Sequence, residues 1–292
     1  MNNYSYKRNP WAYMKSFKAE DQNRPTFDND TCELYFQDIL KEKNPDRLFI
    51  KPDWMPSIPP PCDPFLHSSS PPTFQDISNI IRRMKAKSSP CPLDGLSVII
   101  FKNCPILRTH LTRLLAECWK RSHFPAIWKR ATVSLIHKKG PLDAPGNFRP
   151  IALQPVLGKI LNSAIRNRLH KFLTSNNLMD MRMQKGFWPG VDGVTEHIAQ
   201  LQYLMNLQKK SKRNIYIVLL DLKNAFGEVH HSLIRFSLHH HHIPKETINL
   251  IMSQYDGFFL NVTARQCGLS TGPIHVHEEL SREIPFHLYS SI

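Results

Sequence analysis

The strongest constraint on the fold of this chain is an uncharged apolar run that ends at a carboxylate. Residues 215–220 read IYIVLL, and Asp221 follows them directly. An unbroken apolar run of this length is typical of a strand that is buried on both faces of a sheet. The sequence therefore predicts a strand over residues 215–220, with Asp221 at its C-terminal end.

Two interpretations of Asp221 follow from this position, and the residues alone leave both open. A carboxylate at the end of a buried strand can hold a divalent cation, because the sheet fixes where its oxygens lie. Asp221 or Asn224 can instead cap the next helix, which the apolar spacing predicts from about residue 224. The apolar face of that helix would carry Phe226, Val229, Leu233 and Phe236.

Further helices and a second strand are predicted ahead of this run. Apolar spacing predicts helices over residues 28–42, from Thr73 onward, through 107–119, and over 157–173 and 194–209, whereas ATVSLIH predicts a strand over 131–137. The side chains that the first three helices are expected to bury are Leu34, Phe36, Ile39 and Leu40; Ile77, Ile80, Ile81 and Met84; and Leu107, Leu111, Leu114, Leu115, Cys118 and Trp119.

A segment rich in proline and serine, residues 51–72, separates the first predicted helix from the second. Proline lacks a backbone donor and biases the preceding residue toward extended geometry, so this segment predicts a linker. Because Trp54, Phe65 and Leu66 are large and apolar, we expect the linker to run in extended form along a surface that buries them.

The charge balance favours a polyanionic partner. Lys and Arg number 38 against 24 Asp and Glu, which gives a formal net charge of +14. Hydrophobic residues make up 41% of the chain, enough to fill a core. A basic excess on such a chain predicts nucleic-acid binding, whereas a solvated basic surface is the plainer alternative.

Cysteine usage and hydropathy predict an intracellular protein, cytoplasmic or nuclear, with no membrane partner. The six cysteines are scattered without a Cys-x-x-Cys pair, which argues against a disulfide framework or a cysteine-ligated zinc site. The polar start has no apolar leader, and no stretch reaches the roughly 20 apolar residues of a membrane span.

A basic loop follows the strand predicted over 131–137. It begins with Lys138 and Lys139 and leads, through a stretch rich in glycine and proline, to Arg149. Cations at this spacing on a hairpin can flank a phosphate chain, and arginine can bind it bidentately. A solvated loop is the alternative for the two lysines, whereas Arg149, between an aromatic residue and a proline, is expected to be held in place.

A glycine-rich segment, MQKGFWPGVDGVTEHI, occupies residues 183–198. Its glycines and proline permit tight turns. Trp188 can stack on a base or ribose, or it can pack in the core as an ordinary aromatic residue. Lys185 and Trp188, together with Lys139, are the residues predicted to contact nucleic acid.

Histidines cluster at residues 230–231 and 239–242. His239 and His242 lie three residues apart, so they could share a metal ion on a helix, but no nearby carboxylate or cysteine completes a ligand set. An exposed helix end before Pro244 is therefore favoured. Asp256, in QYDGFF, is predicted to occupy a surface turn.

Five segments of this chain follow one another in the order that a polymerase family shows. They are SSPCPLDGLSVIIFKNCP, WKRATVSLIHKKGPLDAPGNFRPIALQPVLGKI, LNSAIRNRLHKFL, MQKGFWPGVDGVTEHI and VLLDLKNAFGEVHHSLI. Together they resemble the reverse transcriptase domain of non-LTR (LINE-type) retrotransposons, over roughly residues 73–275. Residues 1–72 resemble the less distinctive segment that precedes this domain.

The resemblance implies an α+β fold with right-hand polymerase fingers and a partial palm, preceded by an extended Pro-rich N-terminal segment. The expected divisions are a helical segment at 1–50, the linker at 51–72, the fingers at 73–212, the partial palm at 213–277 and a divergent tail at 278–292. The implied reaction is addition of dNTPs to a DNA primer 3′ end on an RNA template.

The resemblance also implies roles for single residues. Asp221 stands at the first palm carboxylate, which binds Mg²⁺, and the Leu222 backbone stands at a second metal contact. Phe226 matches the aromatic residue that excludes a nucleotide 2′-hydroxyl. Arg149 matches the fingers arginine that contacts the incoming triphosphate, and Lys138 matches the fingers lysine.

The resemblance breaks off before the remaining carboxylates of the family. No Asp-Asp pair follows Asp221, and the only later aspartate is Asp256. Since one carboxylate cannot hold two Mg²⁺ ions in the required geometry, we expect a reverse transcriptase truncated before the Asp-Asp motif and inactive by itself. Whether a partner chain completes it is left open. The alternatives are a non-catalytic RNA- or DNA-binding module and a decayed open reading frame.

Overall fold

A computed structural model of the protein describes residues 24–41, 48–61, 70–86, 91–178, 185, 190–220, 229–264 and 267–276. The helices in these ranges are α1 (Asn29–Leu40), α2 (Phe74–Arg83), α3 (Val98–Asn103), α4 (Pro105–Lys120), α5 (Val156–Ser175), α6 (Gly193–Lys210), α7 (His231–His240) and α8 (Lys245–Tyr255). The strands are β1 (Arg130–His137), β2 (Phe148–Leu153), β3 (Phe258–Ala264), β4 (Leu269–Ser270) and β5 (Ile274–Val276). Helices and a mixed sheet confirm the α+β class. None of the described helices is both long and apolar enough to cross a membrane.

Strand β1 lies inside the sheet and is paired on both edges. β2 follows it antiparallel, with Ile136 opposite Arg149, which confirms the predicted hairpin. β3 pairs with the other edge of β1 in parallel, with Val133 opposite Val262. The outer edge of β3 is paired in turn by β5 and β4, both antiparallel.

Helix α1 covers one face of this sheet. Successive strand residues point to opposite faces, so Val133 of β1 shares a face with Leu260 of β3. Phe36 and Leu40 of α1 pack against that face and are almost fully buried. Removing this much apolar surface from water is the main stabilising contribution to the sheet side of the protein.

A second core lies among the helices α2, α3, α4, α5, α7 and α8. Phe124 and Trp128 meet edge to face within it, with ring centroids 5.9 Å apart. α5 contributes most of its length to this core. The largest fully buried side chains of this core are Ile77, Ile81, Leu115, Phe124, Ile160, Leu161, Ile165, Phe172, Ile248 and Leu250.

Both ends of α2 are fixed by side chains. Thr73, where the sequence predicts the start of this helix, forms a capping box, in which Thr73 Oγ1 accepts from the Asp76 N–H and the Asp76 carboxylate accepts from the Thr73 N–H. At the other end, Lys102 Nζ donates to the carbonyl oxygens of Arg82 (3.1 Å) and Met84 (2.6 Å). A cation at carbonyls that have no intrahelical partner stabilises the C-terminus of α2.

The prediction of a buried strand over residues 215–220 is wrong. These residues form no strand, and their exposed fractions run from 38% at Ile215 to 91% at Leu220. α6, just before them, buries none of its side chains. An apolar run favours burial of its side chains, but burial also requires another surface that packs against them. In the described part of the chain, no surface buries the side chains of α6 or of residues 215–220.

Single expectations within otherwise confirmed helices also fail. Leu107 and Leu114 of α4 are exposed because each lies at the margin of an apolar stripe whose centre faces the core. Leu34 is exposed because it lies on the side of α1 opposite the buried Phe36 and Leu40. α7 begins at His231, and the predicted helix start near residue 224 lies outside the described part of the chain.

The residues just before the proline-rich segment pack against α7. The Phe49 N–H donates to Ser232 Oγ at 3.0 Å, and the Phe49 and Phe236 rings lie 4.7 Å apart. Trp54 contradicts its expected burial, since it is 81% exposed in a turn. Phe65 and Leu66 lie outside the described residues. The predicted domain boundaries stay predictions.

We expect Lys102→Met to lower the free energy of unfolding by about 1–3 kcal/mol, because two helix-end carbonyls are left without their charged donor. Chemical denaturation followed by circular dichroism measures this change. Lys120→Met is the matched control, since Lys120 is 61% exposed and 3.4 Å from Glu117, a pairing worth at most about 0.5 kcal/mol. Equal destabilisation of the two variants would contradict the assigned role of Lys102.

Candidate functional site

The β1–β2 hairpin brings the predicted phosphate-binding cations together. Arg149 lies opposite Ile136, and the Lys138 N–H donates to the Asn147 carbonyl at 2.8 Å, which continues the ladder by one pair. Lys138 and Arg149 are therefore diagonal neighbours on one face, with α-carbons roughly 7–8 Å apart. That face is the one opposite α1.

The loop between the two strands is held by its own side chains. His137 Nε2 donates to the Gly140 carbonyl at 3.0 Å, and Asn147 Nδ2 donates to the Pro141 carbonyl at 2.9 Å. Gly140 has φ +93°, and a β-carbon there would lie 2.9 Å from Asn147 Nδ2. Glycine is thus required both for the backbone conformation and for the close approach of Asn147.

Helix α1 and the residues before it fix this loop from the other side of the sheet. The Thr26 N–H donates to the Leu142 carbonyl at 3.0 Å. Tyr35 packs against Gly146, where a β-carbon would lie 3.2 Å from the Tyr35 hydroxyl oxygen. Burial in this contact raises the pKa of Tyr35, so the phenol stays neutral.

The same helix also holds the far edge of the sheet. Asn29 Oδ1 accepts from the Ser270 N–H at 2.9 Å, and Glu33 Oε2 accepts from the Gly272 N–H at 3.0 Å. Sequence reasoning missed these positioning contacts. The only signal for them was the amphipathic spacing of α1, which does not say which surface it covers.

Three cations of the hairpin, Lys138, Lys139 and Arg149, are exposed. Within the described ranges, no carboxylate forms an ion pair with any of them. A cluster of unneutralised cations on a fixed loop attracts anions, and the guanidinium group can bind a phosphate bidentately.

Lys185 lies at a different place, against the first turn of α6. Its ammonium is 2.7 Å from Glu196 Oε2, and its side chain is only 19% exposed. A β-carbon at Gly193 would lie 2.5 Å from the Lys185 β-carbon, so this contact needs glycine there. Asp192 caps the helix beside it, and hydrogen bonds from Thr195 lower the pKa of that carboxyl. The predicted contact of Lys185 with nucleic acid stays a prediction.

Four predicted site residues lie outside the described part of the chain: Trp188, Asp221, Leu222 and Phe226. Their assigned roles stay predictions. Among the described residues, no three His, Cys, Asp or Glu side chains are grouped so that they could hold a metal ion. Asp256 is exposed in a turn between α8 and β3, as predicted.

The histidine run forms the end of α7, as the sequence favours. His241 Nδ1 lies 2.8 Å from the Ser237 carbonyl oxygen, and His242 Nε2 lies 3.0 Å from the Ile58 carbonyl oxygen. His240 stacks on Phe236 with ring centroids 5.3 Å apart. These rings therefore close the helix end and hold the proline-rich segment rather than converge on one point.

The segment that contains this hairpin matches a known protein family. Residues 136–276 match the family described as reverse transcriptase (RNA-dependent DNA polymerase). The match runs from the end of β1 through β5 and includes Lys138, Arg149, Asp221 and Phe226. The chain is thus related to the reverse transcriptases of non-LTR retrotransposons, as its motifs indicate.

Individual relatives agree with this assignment. The chain is 30% identical over 159 residues to the Pol polyprotein of a type-1 retrotransposable element R2 from Popillia japonica, covering 54% of this chain and 21% of the relative. It is 28% identical over 167 residues to the RNA-directed DNA polymerase of the mobile element jockey from Drosophila melanogaster, covering 54% and 17%. A 149 kDa protein of transposon TX1 from Xenopus laevis is 27% identical over 187 residues, covering 64% and 14%. The chain thus spans about a fifth or less of these relatives.

We expect Gly140→Ala to lower the free energy of unfolding by about 1–3 kcal/mol, because alanine is strained at this φ and its methyl group displaces Asn147. Gly272→Ala is the control, since its β-carbon would sit at an ordinary 3.5 Å from Glu33 Oε2, and we expect a change below about 0.5 kcal/mol. Chemical denaturation measures both. A Gly140→Ala variant as stable as the control would show that the loop is not fixed as described.

Proposed function

We propose that this chain supplies the fingers and the first palm segment of an RNA-directed DNA polymerase of a retrotransposon. In the longer protein, the reaction is addition of dNTPs to a DNA primer 3′ end on an RNA template. The observation that carries the proposal is the fixed pair of exposed cations, Lys138 and Arg149, inside the segment that matches reverse transcriptases. The surplus of 38 basic over 24 acidic residues supports a polyanionic substrate.

In this proposal the hairpin binds the triphosphate of the incoming nucleotide. Arg149 grips phosphate oxygens through two parallel N–H donors, and Lys138 adds a compact charge beside it. The bonds of His137 and Asn147 within the loop set both cations before the nucleotide arrives, so binding costs little further ordering. Phe226 would discriminate against a ribose 2′-hydroxyl.

The two Mg²⁺ ions that the relation to reverse transcriptases implies need more than one carboxylate. Asp221 is the carboxylate that matches the family's motif, and the described residues group no further ligands into a set. Asp221 and the described residues therefore do not by themselves fit two ions. Asp221 as a ligand of one ion remains part of the proposal.

For Arg149→Ala we expect the affinity for a nucleoside triphosphate to fall roughly tenfold, because alanine cannot replace a charge-assisted hydrogen bond of about 1.5–3 kcal/mol. Arg130→Ala is the matched control, since Arg130 is exposed on the same sheet at the other end of β1. Binding is measured by calorimetry with dTTP in Mg²⁺. If both variants bind as the unchanged protein does, the hairpin is not the triphosphate site.

A primer-extension assay tests the catalytic part of the proposal. With an RNA template, a DNA primer, dNTPs and Mg²⁺, we expect no extension by the 292-residue chain or by Asp221→Asn. We also expect Asp221→Asn to leave RNA affinity unchanged in metal-free buffer. Extension by the unchanged chain that Asp221→Asn abolishes would show that other residues of this chain complete the metal set. If the Asp221→Asn variant fails to bind RNA in metal-free buffer, Asp221 is a structural cap.

A further inference from the structure

The end of α6 carries four cations within five residues, and we call these five residues the basic turn: Lys209, Lys210, Ser211, Lys212 and Arg213. All five residues are exposed. From residue 197 through residue 220 the chain contains no carboxylate. The basic turn therefore carries four positive charges that its own stretch of chain does not neutralise.

The backbone holds these cations in a defined arrangement. The Lys212 N–H donates to the Lys209 carbonyl at 3.3 Å, and the Arg213 N–H donates to the Gln208 carbonyl at 3.0 Å. This pair of bonds, with Lys212 at φ +51°, is the Schellman motif that ends many helices. The charges are thus placed by a hydrogen-bonded turn before any partner binds.

Helix capping explains the backbone of this turn but not its side chains. α5 and α7 end in the same motif, with Asn177 and His242 in the left-handed position, and there the next residue, Leu178 or Ile243, is buried. At the end of α4 the corresponding residue is His123, which is exposed. The corresponding residue of α6 is Arg213, which is exposed. An apolar contact normally accompanies the motif, so capping alone favours a hydrophobic side chain at position 213.

Helix capping does not account for the lysine side chain at position 212 either. A left-handed φ strains residues with a β-carbon, so glycine or asparagine usually occupies this position. Lysines 209 and 210 lie in the last turn, where a cation interacts favourably with the helix dipole. The same dipole favours a cation at Lys212, but glycine or asparagine there would avoid the backbone strain.

The end of α4 provides a comparison within the same molecule. It also ends in a Schellman motif and carries two exposed cations, Lys120 and Arg121. Both of them pair with Glu117, at 3.4 Å and 3.7 Å. Within the described ranges no carboxylate pairs with the basic turn, so its charges stay available to an external anion.

Exposed tyrosines on either side of the basic turn narrow the chemistry of the partner. Tyr203 lies seven residues before Lys210, hence on the same face of α6, and is 67% exposed. Tyr216 follows Arg213 by three residues and is 89% exposed. Cations that track a backbone, interleaved with aromatic faces on which bases stack, are the features that bind single-stranded nucleic acid. An acidic protein would use the charges but would not need the tyrosine rings.

We propose that the basic turn, with Tyr203 and Tyr216, is a docking surface for single-stranded nucleic acid, separate from the β1–β2 hairpin. The inference rests on the proposed function for the kind of polyanion that the protein meets. Each cation of the turn neutralises one phosphate, and the two tyrosines stack on bases at either side. This docking surface would bind nucleic acid of any base sequence, because every nucleotide carries a phosphate and every base has a ring face.

The test measures RNA binding by the full chain as a function of salt. Fluorescence anisotropy with a labelled unstructured 20-nucleotide RNA gives the slope of log affinity against log salt concentration. Each phosphate that the protein neutralises on a single strand adds about 0.7 to the magnitude of this slope. We expect the variant Lys209→Gln, Lys210→Gln, Lys212→Gln, Arg213→Gln to reduce the slope by roughly 2 to 3. Lys120→Gln with Arg121→Gln is the matched control and should leave the slope unchanged.

Lys212→Gly separates charge from folding. Glycine relieves the left-handed strain, so we expect a higher melting temperature together with a slope reduced by about 0.7. Weaker RNA binding by a protein that is more stable cannot be attributed to unfolding. A stabilised variant with the slope of the unchanged protein would overturn the inference for Lys212.

Tyr203→Leu and Tyr216→Leu test the stacking part. We expect several-fold weaker binding of the single strand with the salt slope kept, and no change for a duplex of the same length. Equal binding of single strand and duplex, unaffected by either variant, would overturn it. If the four-residue variant keeps the salt slope of the unchanged protein, the basic turn does not contact RNA. An acidic protein would then be left as its partner, and the proposal would be overturned.

The outcomes also separate this inference from the proposed function. If the chain binds RNA with a steep salt slope that only Arg149→Ala and Lys138→Gln reduce, the docking surface fails and the hairpin site stands. If the chain shows no salt-dependent RNA binding at all, the docking surface fails together with the RNA partner of the proposed function.

Discussion

The parallel pairing of β1 with β3 is the interaction on which the rest of the sheet depends. β1 is paired on both edges, so it joins the cation-bearing hairpin to the strands at the end of the matched segment. A parallel pair requires a long crossover, and here α5 to α8 lie between the two strands. Lys129, just before β1, strengthens the junction, since its buried ammonium donates to the Asp256 carbonyl at 3.0 Å.

This sheet is covered unevenly, and the uneven cover explains how the candidate site is held. α1 packs on one face, where Tyr35 contacts the hairpin side and Asn29 and Glu33 accept hydrogen bonds from the β4–β5 side. The other face, where Arg149 lies, keeps its half-exposed residues Ser134, Asn261 and Thr263. One face thus fixes the backbone and the opposite face presents polar groups, which is how rigid scaffolds commonly position binding residues.

Two surfaces of the chain group cations that no carboxylate of the described residues neutralises. The hairpin and the basic turn each present cations without carboxylate partners in the described ranges, whereas Lys120, Arg121 and Lys185 are paired with glutamates. Net charge alone would not distinguish these two groups. The distinction matters because only unpaired cations release counterions when a nucleic acid binds.

Much of the local structure could be predicted from the sequence, because it depends on residues a few positions apart. The capping box of Thr73 and Asp76, the span of α5 and the β1–β2 hairpin all follow from such short-range signals. Of the candidate site, the grouping of Lys138 with Arg149 was predictable for the same reason. The relation to reverse transcriptases could also be recognised from the sequence, since the motifs that carry it are contiguous stretches of chain.

Only the tertiary structure decided which surfaces meet. It placed α1 on the sheet, paired Lys185 with Glu196 and left residues 215–220 exposed despite their apolar sequence. These outcomes depend on contacts between segments far apart in the chain, and a hydrophobic pattern carries no information about the identity of its partner. The sequence by itself thus determined most of the helices, the β1–β2 hairpin and the relation to reverse transcriptases, whereas burial and the pairing of charges were decided by packing over long range.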